Sequence, residues 1–212
     1  MKASSLPRAA SAGDDEMRAR ILRAAFKDFT ENGYAGTSTL QIATRAKVSK
    51  RDLYAIFANK QAMLVACIKT HLDKMRMPAG LPPPASREVL ASTLTTFGKI
   101  LLTETFQPAV IAMFRLAIAE AERSPEIARA IDDGRKAARR TVSELVARAQ
   151  SLGYLAPGDP STLADRFLVL LREDVMMSLL LGVALPPSRK RIEAQAADAT
   201  RAFLELCSAS NR

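Results

Sequence analysis

The strongest constraint on the fold is a stretch of twenty-eight residues, 37–64, with the sequence TSTLQIATRAKVSKRDLYAIFANKQAML. Three of its residues, Ser38, Ser49 and Asn59, can each cap the N-terminus of a helix that follows. Gln41 follows the first of these by three residues and Asp52 follows the second by three, which is the spacing of a capping box. The stretch therefore predicts a helix-turn-helix over about residues 38–57, with a third helix starting directly after it.

Two such short helices cannot bury their own apolar faces, so they must pack against longer neighbours. The residues expected to face inward are Leu40, Ile42, Ala43, Leu53, Ile56 and Phe57. The expected neighbours are a helix over about residues 14–32, which carries apolar residues at helical spacing, and a helix over about residues 59–77. We expect the first of these to complete an N-terminal domain and the second to bridge to the rest of the chain.

The remainder of the chain also favours helices, because alanine and leucine dominate and runs of β-branched residues are scarce. We predict an all-α protein with about nine helices. The segment PAGLPPPAS, which starts at residue 78, holds four prolines and a glycine and cannot continue a helix. We therefore expect a flexible arm at residues 1–13, an N-terminal domain at residues 14–77 and a second helical domain at residues 78–212.

Several classes of protein are disfavoured by composition. The chain has no run of eighteen apolar residues and no apolar core near its N-terminus, so we expect a cytosolic protein with no membrane span. Cys67 and Cys207 are far apart and accompanied by the single histidine, His71. They predict two small buried side chains, with a redox switch as the alternative, rather than a disulfide or zinc site. No glycine-rich phosphate loop or metal-ligand cluster is present, so we expect no enzyme activity and no cofactor.

Positive charge is concentrated in the N-terminal part of the chain. Residues 1–77 hold 14 Lys and Arg against 7 Asp and Glu, whereas residues 78–212 hold 17 against 15. An α-helix fits the major groove of DNA, and side chains of its first turn can reach base edges. The expected partner is therefore double-stranded DNA, and the alternative for the charge alone is a solvated basic surface.

The candidate DNA-binding residues lie at helix starts and on the second helix of the helix-turn-helix. Arg51 can bind guanine through two hydrogen bonds, and Tyr54 offers a hydroxyl to a phosphate. Asp52 either accepts a hydrogen bond from cytosine or caps its own helix, and the capping-box spacing favours the cap. The full set is Ser38, Thr39, Ser49, Lys50, Arg51, Asp52, Tyr54 and Lys60.

Residues 18–68 resemble the DNA-binding domain of the TetR family of bacterial regulators. The resemblance runs through ILRAAFKDFTENGYAGTSTLQIA and VSKRDLYAIFANKQAML. The residues that match the family pattern are Gly33, Thr37, Ser38, Ile42, Ala43, Val48, Ser49, Leu53, Tyr54, Phe57 and Lys60. Three residues depart from it: Lys47 replaces a glycine, Arg51 a small residue, and Ile56 a histidine or tyrosine. The resemblance therefore implies the fold, whereas the base contacts cannot be transferred from a relative.

The same resemblance implies that residues 78–212 form a helical ligand-binding and dimerisation domain. The segment FRLAIAEAERSPEIARAI further resembles the AefR-like subgroup of the family. In such proteins the last two long helices pair with their counterparts, which here are about residues 160–181 and 188–207. Two recognition helices about 34 Å apart can read a palindrome across one turn of DNA. The implied function is that of a homodimeric, ligand-responsive transcription factor, with repression favoured.

The expected effector is a largely apolar small molecule. Methionine adapts to irregular ligands, although methionine at helical spacing is more often plain core. Asp174 falls in the middle of an apolar stripe and is expected to be buried, either paired with an arginine such as Arg115 or orienting a polar or cationic effector. The candidate effector-binding residues are Phe97, Leu101, Met113, Phe114, Phe167, Asp174 and Met177, with Met176 as a further lining residue.

Two other functions stay open on the sequence alone. One is a DNA-organising protein with no usable cavity in its second domain and little sequence preference. The other is a helical enzyme whose basic patch is incidental. Binding to specific against random DNA at several salt concentrations separates the first from a regulator. Retention of DNA affinity in Arg51→Ala would favour the second.

Overall fold

The computed structural model of the chain describes residues 12–74 and 84–208. Over these residues the chain forms ten α-helices and no β-strand. The helices are α1 (Ala12–Gly36), α2 (Thr39–Ala46), α3 (Lys50–Ile56), α4 (Lys60–Lys74), α5 (Arg87–Thr105), α6 (Pro108–Glu120), α7 (Pro125–Ser151), α8 (Pro160–Arg172), α9 (Val175–Leu181) and α10 (Arg189–Leu206). The prediction of an all-α protein is confirmed, and the helix beyond the expected nine arises because the helix expected over residues 160–181 is divided in two.

The chain divides into two compact units, and the division falls between Ile68 and Lys69. Unit 1 contains α1, α2, α3 and the first part of α4, and unit 2 contains the end of α4 together with α5 to α10. Residues 1–11 of the expected arm lie outside the described residues, and so does the expected boundary after residue 77. The last two residues of the expected arm belong to α1.

The three expected helix caps are present in unit 1. The Ser38 hydroxyl accepts a hydrogen bond from the Gln41 N–H, and the Gln41 side chain accepts one from the Ser38 N–H at 2.8 Å. The Ser49 hydroxyl accepts from the Asp52 N–H at 3.1 Å. Asn59 Oδ1 accepts from the backbone N–H three residues further on. Each cap satisfies a backbone donor that the first turn of a helix leaves free, so the helix starts follow from local sequence.

The core of unit 1 lies between these short helices and their longer neighbours. Its largest fully buried side chains are Ile21, Phe29, Ile42, Leu53, Met63, Leu64 and Ile68. The expectation that Leu40 faces inward is wrong, because its side chain is 63% exposed. Leu40 precedes the buried Ile42 by two residues, and two residues turn an α-helix through roughly 200°, onto its opposite side. Ile56, also expected inside, is only half-buried.

The core of unit 2 is formed mainly by α5, α7, α8 and α10. Phe97, Phe167 and Phe203 are fully buried in it, and the last two rings meet edge to face with centroids 5.4 Å apart. Gly98 allows a close approach of α5 and α8, because a Cβ atom at that position would lie 2.8 Å from a methyl carbon of Leu171. Side chains from distant parts of the sequence therefore make one continuous core.

The helix expected over residues 160–181 is broken after Arg172. Glu173 has φ 46° and ψ −153°, which lies outside helical geometry, and α9 begins two residues later. A strained residue of this kind persists only where its surroundings hold it in place. The Glu173 carboxylate accepts a hydrogen bond from the Arg191 guanidinium at 3.2 Å. This contact ties the break to α10.

The break overturns the expected burial of Asp174. Residues at helical spacing share one face only while the helix is continuous, and Asp174 instead lies exposed at the N-terminal end of α9. Its expected partner, Arg115, donates hydrogen bonds to the backbone oxygens of Leu179 and Leu180 at 2.6 and 2.8 Å. The arginine therefore satisfies carbonyl groups at the end of α9 rather than a buried carboxylate.

Within the two described stretches, no single helix is both long and apolar enough to cross a membrane. The helices α5 and α6 meet such a test only jointly, and they bend by 68° where they join.

Candidate nucleic-acid interface and ligand cavity

The first turn of α3 presents two cations. Lys50 and Arg51 are both exposed. Among the described residues Arg51 has no hydrogen bond or ion pair, whereas the Lys50 ammonium lies 5.9 Å from the centre of the Tyr54 ring. The Tyr54 hydroxyl is 3.1 Å from the Thr39 hydroxyl, which links the first turn of α2 to α3. The structure thus places four of the predicted DNA-binding residues on α2 and α3, with Arg51 available to an outside acceptor.

Asp52 supports the cap of α3 but does not close a capping box, because its carboxylate binds the Ser49 hydroxyl rather than the Ser49 N–H. Its carboxylate accepts a hydrogen bond from the Ser49 hydroxyl at 2.6 Å, while the Ser49 hydroxyl accepts from the Asp52 N–H. Both side chains are therefore engaged with each other at the start of α3. They fix the direction in which Lys50 and Arg51 project.

Lys60 has a structural role that the sequence did not indicate. Its ammonium donates hydrogen bonds to the backbone oxygens of Tyr34 and Thr37 at 2.7 and 3.0 Å, and it lies 4.2 Å from the centre of the Tyr34 ring. Lysine has three N–H donors, so one remains for a phosphate. The first residue of α4 thereby fastens the turn that leads into α2.

An ion pair with one buried partner holds α2 against α1. Arg45 Nε lies 2.8 Å from Oδ1 of Asp28, whose side chain is only 2% exposed. The Thr37 hydroxyl donates to the backbone oxygens of Asp28 and Gly33, the glycine at which α1 kinks. These contacts come from residues adjacent to the candidate interface, and they set the position of α2 relative to α1.

A groove with five basic residues in unit 1 was missed by sequence reasoning. Its cationic lining residues are Arg20, Arg23, Lys27, Arg45 and Lys47. The first three recur at intervals of three and four residues, which places them on one side of α1 and is the signal that sequence reasoning overlooked. Lys47 ends α2 in the left-handed conformation with φ 54°, at the position where the family pattern has glycine. Positive charge therefore extends beyond the first turn of α3.

Unit 2 contains a cavity of about 550 Å³. Three of the predicted effector-binding residues, Phe97, Leu101 and Phe114, line this cavity, and so does Met176. The other predicted residues do not line it. Met113 and Phe167 are buried in the core, while Asp174 and Met177 are exposed at α9. The predicted apolar pocket therefore agrees with this cavity only in part. The other end of the cavity is lined by residues that were not predicted.

That end of the cavity is formed by α4, α7 and the end of α8. Leu72 of α4 packs against Gly134 of α7 so closely that a Cβ atom on the glycine would lie 2.4 Å from a leucine methyl carbon. Arg172, the last residue of α8, lines the cavity and is half-buried. Sequence reasoning passed over Arg172 because a continuous helix over residues 160–181 gave no reason to single it out.

No group of three or more His, Cys, Asp and Glu residues in the described parts of the chain is placed to hold a metal ion.

Two family models match the chain. Residues 21–67 match the family described as bacterial regulatory proteins, tetR family. Residues 92–207, more than half of the chain, match the C-terminal domain of AefR-like transcriptional repressors. The two matched segments include the candidate interface and most of the residues that line the cavity.

Individual relatives are transcriptional regulators. The chain is 40% identical over 78 residues to the HTH-type transcriptional regulator HbdR of Aromatoleum sp. (strain CIB), a match that covers 34% of each chain. It is 26% identical over 163 residues to the HTH-type transcriptional regulator UidR of Escherichia coli (strain K12), covering 76% of this chain and 81% of UidR. The chain thus spans only about a third of HbdR but most of UidR.

Solved structures with the same fold are also regulators. A TetR-family transcriptional regulator from Mesorhizobium loti superposes with a TM-score of 0.77 at 20% identity, covering 92% of this chain and 98% of that one. The flavonoid-responsive regulator FrrA gives a TM-score of 0.72 at 27% identity, with 92% and 99% covered. A TetR transcriptional regulator from Agrobacterium tumefaciens gives 0.74 at 28% identity, with 89% and 93% covered. None of these names describes an enzyme.

Proposed function

Because the chain belongs to the TetR family of bacterial regulatory proteins, we propose that it is a ligand-responsive repressor that binds a palindromic operator as a homodimer. A small-molecule effector in unit 2 releases it from DNA. Repression is steric, since a dimer that covers a promoter blocks access to it. Such a protein acts on the chromosome, so its place of action is the cytoplasm.

The observation that carries the proposal is the first turn of α3. Arg51 is exposed and, among the described residues, unpaired, while a cap formed by Ser49 and Asp52 fixes the turn from which it projects. A guanidinium that enters the major groove can bind guanine O6 and N7 together. Lys50, the Tyr54 hydroxyl and the starts of α2 and α4 supply further donors for phosphates.

Dimerisation is supported by the part of unit 2 that follows residue 160. Exposed apolar side chains lie on each of the three helices there, namely Val169 of α8, Met177 and Leu181 of α9, and Leu206 of α10. Burial of such side chains against a second copy is favourable. A two-fold pair of units places two α3 helices about one turn of DNA apart, which suits a palindrome.

Release of DNA by an effector is supported by the contacts that the two ends of α4 make. The cavity is lined by Lys69, Leu72 and Asp73 near the end of α4, whereas Lys60 at its start holds two carbonyl groups just before α2. A ligand that shifts the end of α4 therefore alters the placement of α2 and α3. Moving the DNA-competent population from 99% to 1% takes about 5.5 kcal/mol of differential affinity.

The proposal is tested by selecting bound sequences from random duplex DNA with the purified full chain. We expect a palindrome whose half-sites lie about 10 base pairs apart, centre to centre. Arg51→Ala should weaken binding to the selected site by about 1–3 kcal/mol and relax preference at one base position. Arg129→Ala, which removes an exposed arginine of α7 in unit 2, is the matched control and should leave affinity unchanged.

Three outcomes would contradict the proposal. Recovery of no preferred sequence, with binding governed by salt alone, would favour a DNA-organising protein instead. Full retention of affinity in Arg51→Ala would move the interface away from the first turn of α3. Absence of DNA binding at low salt would remove the function altogether.

A further inference from the structure

Arg172 is a half-buried cation at the wall of the cavity. Its side chain is half-buried, and among the described residues it forms no hydrogen bond or ion pair. Burial, and to a lesser extent the charge of Arg135, lowers the pKa of the Arg172 guanidinium. The group still carries its charge at neutral pH, since arginine in proteins stays protonated. A partly desolvated charge with no counter-ion is unfavourable, so an anion that enters the cavity would relieve a cost already present in the free protein.

The other charged residues of the cavity add to the positive potential. Lys69, Arg135 and Arg140 are basic, Asp73 and Asp133 are acidic, and all five are exposed. Exposed groups are screened by water, so their effect on a bound ligand is weaker than that of a half-buried group. Among the charged residues that line the cavity, Arg172 is the half-buried one. The charge that a bound ligand contacts away from solvent is therefore positive.

The remainder of the lining is apolar. Phe97, Leu101 and Phe106 are buried, and Phe114 and Met176 are half-buried. The volume of about 550 Å³ lies within the range of roughly 300–1,000 Å³ typical of small-molecule sites. The ligand that matches this lining has a sizeable apolar body and few polar groups.

The break between α8 and α9 lies beside the charged end of the cavity. Arg172 is the last residue of α8 and Met176 lies in the first turn of α9, and both line the cavity. Glu173, which forms the break, has a positive φ and an ion pair with Arg191. Backbone strain of this kind is found where a local geometry serves a site.

We propose that the effector is an amphipathic carboxylate, whose apolar body packs against Phe97, Leu101 and Met176 and whose carboxylate pairs with Arg172. The planar guanidinium matches a carboxylate through two parallel hydrogen bonds. A phosphate monoester would bring a second negative charge that the single half-buried cation cannot balance. This inference rests on the proposed function and names the ligand class of its cavity. It replaces the cationic effector considered for Asp174, which lies outside the lining.

The first experiment compares head groups on constant bodies. Decanoate, decanol and decylamine form one series, and biphenyl-4-carboxylate, biphenyl-4-ylmethanol and biphenyl-4-ylmethylamine form another. Binding of each to the full-length protein is measured by calorimetry. In at least one series we expect the carboxylate to bind about tenfold or more tightly than the alcohol, and the amine most weakly, because a charge-assisted ion pair is worth at least that factor. Equal binding of the three head groups in both series would overturn the proposal.

The second experiment changes the cation. Arg172→Met keeps an unbranched side chain and removes the charge, so it should lose the preference for the carboxylate over the alcohol while the alcohol still binds. Arg172→Lys should retain part of the preference. Arg201→Met, an exposed arginine of α10 outside the lining, is the matched control. If Arg172→Met binds the preferred carboxylate as tightly as the unaltered protein does, Arg172 is not the anion site and the proposal fails.

A third measurement separates this inference from the proposed function. Operator binding is followed by fluorescence anisotropy in the presence of the same six compounds. Release by the alcohols but not by the carboxylates would leave the regulatory function standing and overturn the ligand class. Arg172-dependent carboxylate binding without any effect on DNA would support the ligand class and contradict the regulatory function.

Discussion

Lys47 ends α2 with a left-handed backbone, φ 54° and ψ 47°. A side chain in this conformation costs about 1–2 kcal/mol, and glycine adopts it freely. Glycine also raises the entropy of the unfolded chain by about 0.4–1 kcal/mol, so Lys47→Gly should raise the free energy of unfolding by up to about 1 kcal/mol. Urea unfolding measures this. A loss of stability would show that contacts of the Lys47 side chain contribute more to the free energy of unfolding than its left-handed backbone costs.

The same substitution should weaken DNA binding. Lys47 lies in the basic groove and precedes the first turn of α3 by three residues. Removal of one phosphate contact reduces the salt slope of log affinity by about 0.9. Lys47→Gly should therefore give a more stable protein that binds DNA less tightly, and Lys47→Arg should restore the slope. An unchanged slope in Lys47→Gly would place the groove outside the interface.

Cys67 provides a pH-dependent contribution to stability. Both cysteines are buried thiols, as the sequence predicted, and burial raises the pKa of the Cys67 thiol to about 12. The thiol in the unfolded chain has a pKa of about 8.5. Between pH 8.5 and pH 12 or so, the unfolded chain therefore releases a proton that the folded chain keeps. Stability from this group is complete below pH 8.5 or so and falls by about 1.4 kcal/mol per pH unit above it.

The comparison of interest is between the unaltered protein and Cys67→Ala at pH 8.5 and 9.5. We expect the unaltered protein to lose about 1 kcal/mol more than the variant over this interval, measured by urea unfolding. The variant is its own control for lysine, tyrosine and Cys207, which titrate in both proteins. Equal losses would mean that the Cys67 thiol ionises in the folded state as readily as in the unfolded state.

At the scale of single elements, helix starts were predictable and one helix interior was not. The caps at Ser38, Ser49 and Asn59 depend on residues three positions away, so the sequence contains all that determines them. The break at Glu173 is accompanied by an ion pair with Arg191 on another helix, which no spacing within residues 160–181 indicates. Apolar spacing over residues 160–181 continues across the break, and for that reason it predicted a helix that the packed protein does not have.

Gly134 sets how closely α4 approaches α7. Alanine in a helix interior is about 1 kcal/mol more favourable than glycine, so Gly134→Ala would stabilise an isolated helix. Here its Cβ would lie 2.4 Å from one methyl carbon of Leu72 and 2.6 Å from the other, and overpacking of this kind costs about 1–3 kcal/mol. We expect Gly134→Ala to lower the melting temperature of the protein.

The matched test is the same change in a Leu72→Ala background, where the clash is absent. There Gly134→Ala should raise the free energy of unfolding by about 1 kcal/mol, as helix propensity alone requires. If the substitution has one effect in both backgrounds, Leu72 does not limit the approach of α4 to α7. Because Leu72 and Gly134 line the cavity, the single variant should also change the affinity of the ligand that the cavity binds.

At the scale of the whole molecule, the candidate interface on α2 and α3 was easier to predict than the cavity. The former is built within about twenty consecutive residues, and the sequence placed Arg51 and Tyr54 correctly on α3. The cavity joins α4, α5, α6, α7, α8 and α9, so the sequence supplied its apolar character through Phe97 and Leu101 but not its charged end. Arg172 could be recognised as a candidate only from the structure, which shows that it ends α8 and has no ion-pair partner among the described residues.

The proposed homodimer is the property of the whole molecule that recognition of a palindrome requires. Val169 on α8 is 71% exposed in the single chain, so Val169→Asp should leave the fold intact. In a dimer interface the same change buries a carboxylate, which costs several kcal/mol unless it is paired. We expect the unaltered protein to have twice the mass of one chain by light scattering, and Val169→Asp to have the mass of one chain. Ile118→Asp, on α6 and 62% exposed, is the matched control and should remain dimeric.

Operator binding then follows oligomeric state. A monomer contacts only one half-site at a time. Val169→Asp should therefore bind a full palindrome no more tightly than a single half-site. Ile118→Asp should keep the preference for the palindrome that the unaltered protein shows. A monomeric unaltered protein would contradict the proposed homodimer. A Val169→Asp variant that still prefers the palindrome would move the interface away from α8, α9 and α10.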